Sequence, residues 1–504
     1  MQVFPNFGSE PYMHAAVFHR RQRKFRRDDA FGEATLFPSC SFATKGLLAF
    51  VTPIVGGAIA LAAACGFAAP AALAQQSPGA AAPALAAYAD TELGQRISAP
   101  ELVVAGERLN TGLLRRFYAR HGFAPIWADR PAEANALWNA IFRTGEQGLA
   151  PELFHATALR AGATLPPLDL ELLLSDALLS YADALARGVV PVERRGRDDE
   201  TLTPEPIDIV AALDAAIASP DPVAAIEALA PTTPTYKLLR QALQNLHSGA
   251  PAGGKTATTR LRQIEVNLER ERWLPRHLPP DRVWVNVADE RVVLYRGDQP
   301  VFSTKVIVGQ DVLQNQSPEF RATINGVLFN PPWNIPPDIA TNEILPKTAN
   351  DPNYLAQHNM VMLPNGILQQ VAGPNSGLGQ LMFDMPNRFD VYLHDTPGKN
   401  AFGRDDRRIS HGCIRVEKPR ELAALLMQQP ADAIDQAIAT GSTAETALPQ
   451  PVPVFVVYET AFADADGKLQ FRPDFYGRDA EIWTQLDPGR QPVAESEPPS
   501  QRGG

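Results

Sequence analysis

The sequence predicts an α+β multidomain chain, with a helical region first and a mostly β region after it. Three observations carry this. Between residues 101 and 247 apolar side chains recur at the helical period, as Leu174, Ala177, Leu178, Tyr181 and Leu185 do on one stripe. From Arg282 the period shortens to two, in "RVWVNV", "RVVLYR" and "VFSTKVIVG". Between the two regions stands "SGAPAGGKTAT" (248–258), a linker rich in small residues. A chain of 504 residues is long enough for two or three full-sized cores.

Taken in order, the chain opens on a basic cluster (Arg20, Arg21, Arg23, Lys24, Arg26, Arg27). An apolar run follows from Gly46 to Leu73 and ends in the small-x-small pattern Ala72-Leu73-Ala74. Residues 1–74 read as an export signal with an overlong front, consistent with a start at Met13 or later. The competing reading is an uncleaved membrane anchor, since more than ~18 apolar residues can span a bilayer. A lipoprotein site at Cys65 fits less well, because the apolar run continues past it. Residues 75–100, rich in Ala, Pro and Gln, predict a disordered linker.

In the helical region (101–247), Asn110-Thr111 can cap a helix through "LLRRFYARHG", with Gly122 ending it. "RLRQIEVNLERERWLP" (260–275) predicts a charged amphipathic helix leading into the β region (259–484). There the strands are joined by tight turns such as Arg296-Gly297-Asp298, and "RFDVYLHD" and "VPVFVVYET" predict further strands. "KPRELAALLMQQ" (418–429) is a helix with Pro419 near its first turn. Residues 330–362 are too long for a simple β connection, and their prolines and the Trp333-Asn334 pair predict an ordered cap. That cap is either a packed extension shielding the sheet or a lid, spanning about 330–380. Residues 485–504 predict a disordered tail.

Charge and cysteine usage narrow the function. The formal charge is −10; removing residues 1–74, which carry a net +3, takes it to −13. That argues against a nucleic-acid partner. Of the three cysteines, Cys40 and Cys65 fall within the signal, which leaves Cys413 alone in the mature chain. A lone thiol in an oxidising compartment is a liability unless it is used.

Cys413 lies in "YLHDTPGKNAFGRDDRRISHGCIRVEKP" (392–419), together with His394 and His411. Alternation over 389–394 puts Phe389, Val391 and Leu393 on one face and Asp390, Tyr392 and His394 on the other. "SHGCIRV" resumes the pattern, with Ile414 and Val416 inward and His411, Cys413 and Arg415 outward. If the two stretches pair, Cys413 and His394 approach each other. A free thiol has a pKa of ~8.5 and is mostly protonated at neutral pH, so an adjacent imidazole is the group that would activate it. Gly412 allows close backbone approach, and the N–H groups of Gly412 and Cys413 are candidates to hold an oxyanion. Arg415 would favour a thiolate or grip a carboxylate. Two other readings stay open on pattern alone: ordinary core residues, or a zinc site of two His and one Cys. "SGLGQ" (376–380) reads as a turn. "DDRR" (405–408) reads as a solvated loop whose arginines could meet an acidic peptide.

The segment closely resembles the active-site motif of L,D-transpeptidases of the YkuD-type fold: a histidine, a spacer, then Ser410-His411-Gly412-Cys413 and Ile414-Arg415. "FNPPWNIPPDIA", "ILPKTANDPNYLAQH", "FADADGKLQFRPDFYGRD", "LLRRFYARHGFAPIW" and "TGEQGLAPELF" are similar to the large periplasmic, YcbB-like subfamily. The resemblance implies a helical scaffold domain followed by a mostly β catalytic domain with a lid insertion. It implies Cys413 as nucleophile and His394 as base, the latter oriented through a nearby backbone carbonyl. Tyr392, Ser410, His411, Gly412, Arg415, Trp333 and Asn334 would line the oxyanion and substrate region, His411 in a positioning role. Implied partners are peptidoglycan stem peptides, donor and acceptor, and carbapenem-type inhibitors, with no metal or organic cofactor. Hydrolysis on the same site and a silent wall-binding scaffold are the rival functions. In that subfamily a peptidoglycan-binding module usually stands between scaffold and catalytic domains; here eleven residues, 248–258, occupy its place.

Overall fold

The long central helix of the N-terminal half shows why this region folds as a bundle. In the computed structural model, which describes residues 91–195, 202–248 and 255–486, helix α5 runs from Pro167 to Arg187 and is buried on nearly every side. Leu172, Leu173, Leu174, Leu178, Leu179 and Leu185 are each 3% exposed or less, so the predicted stripe is one part of a helix enclosed by others. Around it pack α1 (Glu92–Ser98), α2 (Thr111–Arg120), α3 (Pro131–Ile141), α4 (Ala156–Arg160), α6 (Ile209–Ile217), α7 (Pro222–Glu227) and α8 (Pro234–Ser248). Asn110 caps α2, accepting from the Leu113 N–H at 3.1 Å. Polar groups on α5 are paired where they are buried: Glu171 accepts from the Tyr118 hydroxyl at 2.9 Å, and the Trp127 indole donates to Ser175 at 2.9 Å.

Two linker boundaries move. Residues 92–98, placed in the linker from composition, are helical, because Thr91 caps the Gly94 N–H and Leu93 and Ile97 bury one face. Helix α9 (Lys255–Glu271) likewise begins inside the 248–258 linker, and the helix Arg478–Leu486 takes in the first two residues assigned to the tail. The export signal, residues 75–90, residues 249–254 and the tail from 487 lie outside the described residues.

Helix α9 joins the two regions. Its polar side chains face the junction instead of water: Gln263, Asn267, Glu269, Arg270 and Glu271 are buried, as is Arg272 just past its end. Gln263 donates to the carbonyls of Thr460 and Arg472, at 3.0 and 2.7 Å. Asn267 donates to the Thr460 hydroxyl at 2.7 Å and accepts from its N–H at 3.0 Å. Arg270 pairs with Asp479 at 2.5 Å, and Arg272 pairs with Glu269 at 3.1 Å. Glu271 hydrogen-bonds to Glu459; burial pushes Glu271 up to about 7 and Glu459 in the same direction, so the pair holds a proton.

The C-terminal region is built on one nine-stranded sheet. Its strands are β3 (Arg282–Asn286), β4 (Arg291–Arg296), β5 (Gln299–Gly309), β6 (Phe320–Phe329), β10 (Leu381–Asp384), β11 (Leu393–His394), β12 (Arg408–Ser410), β13 (Ile414–Val416) and β14 (Ala444–Val457). The remaining strands form small separate sheets: β1 (Leu102–Val104) with β2 (Glu107–Leu109), β7 (Trp333–Asn334) and β8 (Met360–Met362) either side of β9 (Leu368–Gln370), and β15 (Ala461–Ala463) with β16 (Leu469–Phe471). The order in the large sheet is β12-β5-β13-β11-β10-β6-β14-β3-β4, and β5 also pairs with β4, so the sheet closes on itself. The β4–β5 turn is Gly297-Asp298, both at positive φ (55° and 63°), the geometry a two-residue hairpin demands. The sheet interior is filled by Val283, Val285, Val306, Val308, Ile324, Leu393, Ile414 and Val416, with the helices Pro419–Met427 and Ala431–Ala439 packed against it.

The segment between β6 and β10 forms a cap with its own small core. Strands β7, β8 and β9 make a three-stranded sheet. Ile335, Ile339, Ala340, Ile344, Met360 and Leu368 pack beneath it.

Candidate active site

The predicted strand 389–394 is strand only at Leu393–His394. Asp390 takes a φ of 51°, which ends extended structure N-terminal to Tyr392. The side chain of Asn387 organises the bend, donating to the carbonyls of Met385 and Val391 at 2.7 and 2.9 Å. The consequence is useful: the Asp390 carbonyl turns toward Cys413, whose Sγ lies 3.7 Å away.

Beyond the bend, β11 runs parallel to β13, pairing Leu393 with Ile414 and His394 with Arg415. The Ile414 N–H donates to the Tyr392 carbonyl at 2.9 Å. Cys413 therefore enters the site beside Tyr392, two positions before Arg415, the residue opposite His394. Leu393 and Ile414 face the core at 0% exposure, which leaves Tyr392, His394, Cys413 and Arg415 on the other face of the ladder.

The turn Ser410–Cys413 is closed by its own serine. The Ser410 hydroxyl donates to the Cys413 carbonyl at 2.6 Å and accepts from the Gly412 N–H at 3.2 Å. Gly412 sits at φ 111°, a conformation for which only glycine is suited, and its carbonyl accepts from Ser317 at 2.7 Å. This corrects the expected oxyanion pair: the Gly412 N–H is committed to Ser410, whereas the Cys413 N–H has no acceptor among the described residues.

His394 is buried at 3% exposure. Its Nδ1 lies 2.6 Å from the Asp395 carbonyl, and the ring also hydrogen-bonds to the Leu378 backbone. Burial, reinforced by the Arg415 charge, pulls its pKa down to about 4. The Cys413 thiol is half-buried, and burial pushes it up although Tyr392 and Arg415 pull the other way. Both shifts favour a neutral pair. Among the described residues, no hydrogen bond yet joins imidazole and thiol. Arg415 is half-buried without a carboxylate partner among the described residues, and its Nε has no acceptor. The Tyr392 hydroxyl donates to Asp390 at 3.4 Å, and burial beside that carboxylate raises its pKa.

Other predicted residues lie outside the β11–β13 ladder. Trp333 and Asn334 belong to the cap sheet: Asn334 accepts from Gln369 at 2.7 Å, and the Trp333 ring covers Gly377 so closely that a Cβ there would sit 2.9 Å from it. Arg407 of "DDRR" is no solvated side chain; it is 9% exposed and pairs with Glu290 at 3.1 Å. Arg408 pairs with Asp406 at 2.8 Å and holds that carboxyl down at about 2.

Several residues that shape the site escaped the sequence reading. "SGLGQ" is the turn on which His394 rests, through Leu378. Gly379 is required because a Cβ there would lie 2.5 Å from the Asp395 carboxylate, which accepts the Gln380 N–H at 2.9 Å. Its glycines were a visible signal; its contact with His394 was not. Glu343 of the cap meets His411 Nε2 at 2.5 Å, across 68 residues of sequence.

A closed β-sheet thus carries a half-buried thiol and a buried imidazole on one face of its β11–β13 ladder, a pairing of groups suited to nucleophilic chemistry. Residues 280–454 match the L,D-transpeptidase catalytic domain of the YkuD family, and residues 112–243 match the Scaffold domain. By these matches the chain carries an L,D-transpeptidase catalytic domain over residues 280–454, with the helical scaffold ahead of it. A Haemophilus influenzae protein assigned by name to the L,D-transpeptidases is 28% identical over 406 residues, covering 73% of this chain and 78% of that one. The solved structure of the Ldtfm–avibactam carbamoyl enzyme aligns over 36% of this chain and 49% of the other, so the chain spans about half of that protein's length. At 11% identity and a TM-score of 0.19, that likeness carries no argument.

Proposed function

We propose that this protein is an exported peptidoglycan L,D-transpeptidase that works in the cell envelope and forms 3→3 cross-links through a thioester on Cys413. The observation that supports the reading is the pairing of β11 with β13, by which Cys413 and His394 share one face of the ladder, the imidazole being neutral at physiological pH. His394 takes the thiol proton as Sγ attacks the carbonyl of the third, diamino-acid residue of a tetrapeptide stem. The Cys413 N–H meets the developing oxyanion. D-Alanine leaves with the proton returned to its amine, and the acyl group remains on sulfur. The amine of a second stem then displaces the thiolate. Arg415, with no carboxylate partner among the described residues, suits a stem carboxylate.

Mass spectrometry of stem-peptide products formed by the purified protein tests this directly. A cross-linked dimer with loss of D-alanine is expected, and Cys413→Ala should abolish it. A carbapenem should add its mass to Cys413 in the intact protein. Hydrolysed tripeptide as the sole product would make the protein an L,D-carboxypeptidase, and turnover by Cys413→Ala would remove the nucleophile assignment.

A further inference from the structure

His411 has a partner outside the catalytic sheet. Its Nε2 is 2.5 Å from the carboxylate of Glu343, which the cap carries in the helical turn Ala340–Ile344. Both side chains reach solvent, His411 at 29% and Glu343 at 48% exposure. Among the described residues the imidazole's other nitrogen has no partner. One ring nitrogen is held by a carboxylate and the other is open. His411 and Gly412 also line a cavity of about 340 Å³ with Gln316, Phe389, Val391 and Tyr476, so a ligand has room beside that ring.

An imidazole held from behind by a carboxylate is built to accept a proton in front, because the carboxylate fixes the ring's orientation and tautomer. The transfer reaction needs such a group. An acceptor amine of the lysine type has a pKa of ~10.4 and arrives as an ammonium, which cannot attack until it loses a proton. His394 is less open to an incoming ammonium: it is buried and its described hydrogen bonds go to backbone. His411 is exposed, next but one to the nucleophile in sequence, and carries its own carboxylate.

We propose that His411, oriented by Glu343 of the cap, is the base that deprotonates the acceptor amine. The inference rests on the transfer reading above, and it replaces the positioning role the sequence suggested for His411. The acceptor ammonium gives one proton to the open nitrogen of His411. The freed lone pair attacks the thioester carbon, the C–N bond forms and the C–S bond breaks. The second N–H proton ends on the Cys413 sulfur, and His411 returns its proton to solvent. Glu343 touches no reacting atom; it is a positioning residue, and it acts only while the cap is seated.

The test is the ratio of cross-linked to hydrolysed product from one acyl-enzyme, measured across pH with full-length protein, a tetrapeptide donor and a stem-peptide acceptor. This ratio is independent of how fast Cys413 is acylated. Glu343→Gln keeps a hydrogen-bonding side chain of the same length but removes the charge. It should lower the ratio near pH 7 by up to ~10²-fold, the scale for losing the base altogether. The deficit should shrink as pH rises toward the amine's own pKa, where the acceptor needs no base, and Glu343→Asp should recover part of it. An unchanged ratio in Glu343→Gln, or a deficit equal at every pH, overturns the proposal. A wild-type protein that acylates but only hydrolyses overturns the transfer reading and this proposal with it, a result distinguishable from the first because it appears without any mutation.

Discussion

The neutral Cys413–His394 pair predicts how the thiol responds to alkylation. In a thiolate–imidazolium pair the sulfur is reactive well below pH 7. Here burial holds His394 at about 4 and raises the thiol. Even an unshifted thiol at ~8.5 would lie ~4.5 units above that imidazole, so moving the proton from sulfur to nitrogen costs about 6 kcal/mol at 1.36 kcal/mol per unit. The ion pair is then a species of less than about one part in 10⁴. An unshifted thiol would be ~3% ionised at pH 7, and this one is ionised less. Cys413 should therefore react with iodoacetamide at pH 7 at under ~3% of its alkaline limiting rate, the rate climbing steadily with pH. Intact mass after timed exposure gives the rate. A plateau of reactivity between pH 5 and 7 would mean a preformed thiolate and would refute the neutral-pair argument.

Other consequences follow from the same geometry. His394→Ala should slow acylation by ~10²-fold at pH 7, read from single-turnover mass spectra; His411→Ala should instead act mainly on product partition, and the reverse order of effects would exchange the two roles. Gly412→Ala places a Cβ at φ 111° and should cost ~1–3 kcal/mol in thermal unfolding while displacing the turn Ser410–Cys413; an unchanged melting temperature would show that the turn tolerates it. Glu271 is raised to about 7 in the fold against ~4.3 when unfolded, so the folded state binds more protons between those values and stability falls as pH climbs through them. Glu271→Gln should thus raise the melting temperature at pH 8 relative to wild type and leave it nearly unchanged at pH 4, whereas a shift of equal size at both would exclude proton linkage. The cap exposes Leu345, Val361, Met362, Ile367 and Val371, so acylation of Cys413 should slow hydrogen exchange across 335–365 if the cap closes on the acyl group; identical exchange in free and acylated protein would make it a fixed shield.

Period and punctuation made much of this fold legible before any coordinates. Gly297-Asp298 between two alternating runs signals a hairpin, and the Ser-His-Gly-Cys turn, with glycine where φ is positive, marks the site. Two local signals misled. Alternation across 389–394 is real in the side chains, but it says nothing about Asp390 entering the left-handed region, where the backbone stops being a strand. In α9 the charges matched a solvated face, yet their partners, Thr460, Asp479 and Glu459, lie about 190 to 210 residues further on and bury that face. Glu343 was invisible for the same reason. Carboxylates on a cap have no period, and only the folded chain brings one to His411.

The junction around α9 also bears on how the protein can be divided. Phe455, Val457, Ala461, Ile482 and Leu486 belong to the same apolar core as the helical bundle, so the last thirty residues described are shared property, threaded back from the catalytic sheet into the scaffold. Sequence position and physical partition therefore disagree. Cleavage between residues 248 and 255 should leave the halves together as a complemented pair, held by the polar ladder of α9 on one side and α8 on the other. Truncation after Tyr458 would remove a short terminal piece and expose two cores at once. A catalytic half expressed from residue 280 to 454 would lack the surface that closes it, and should be recovered as aggregate.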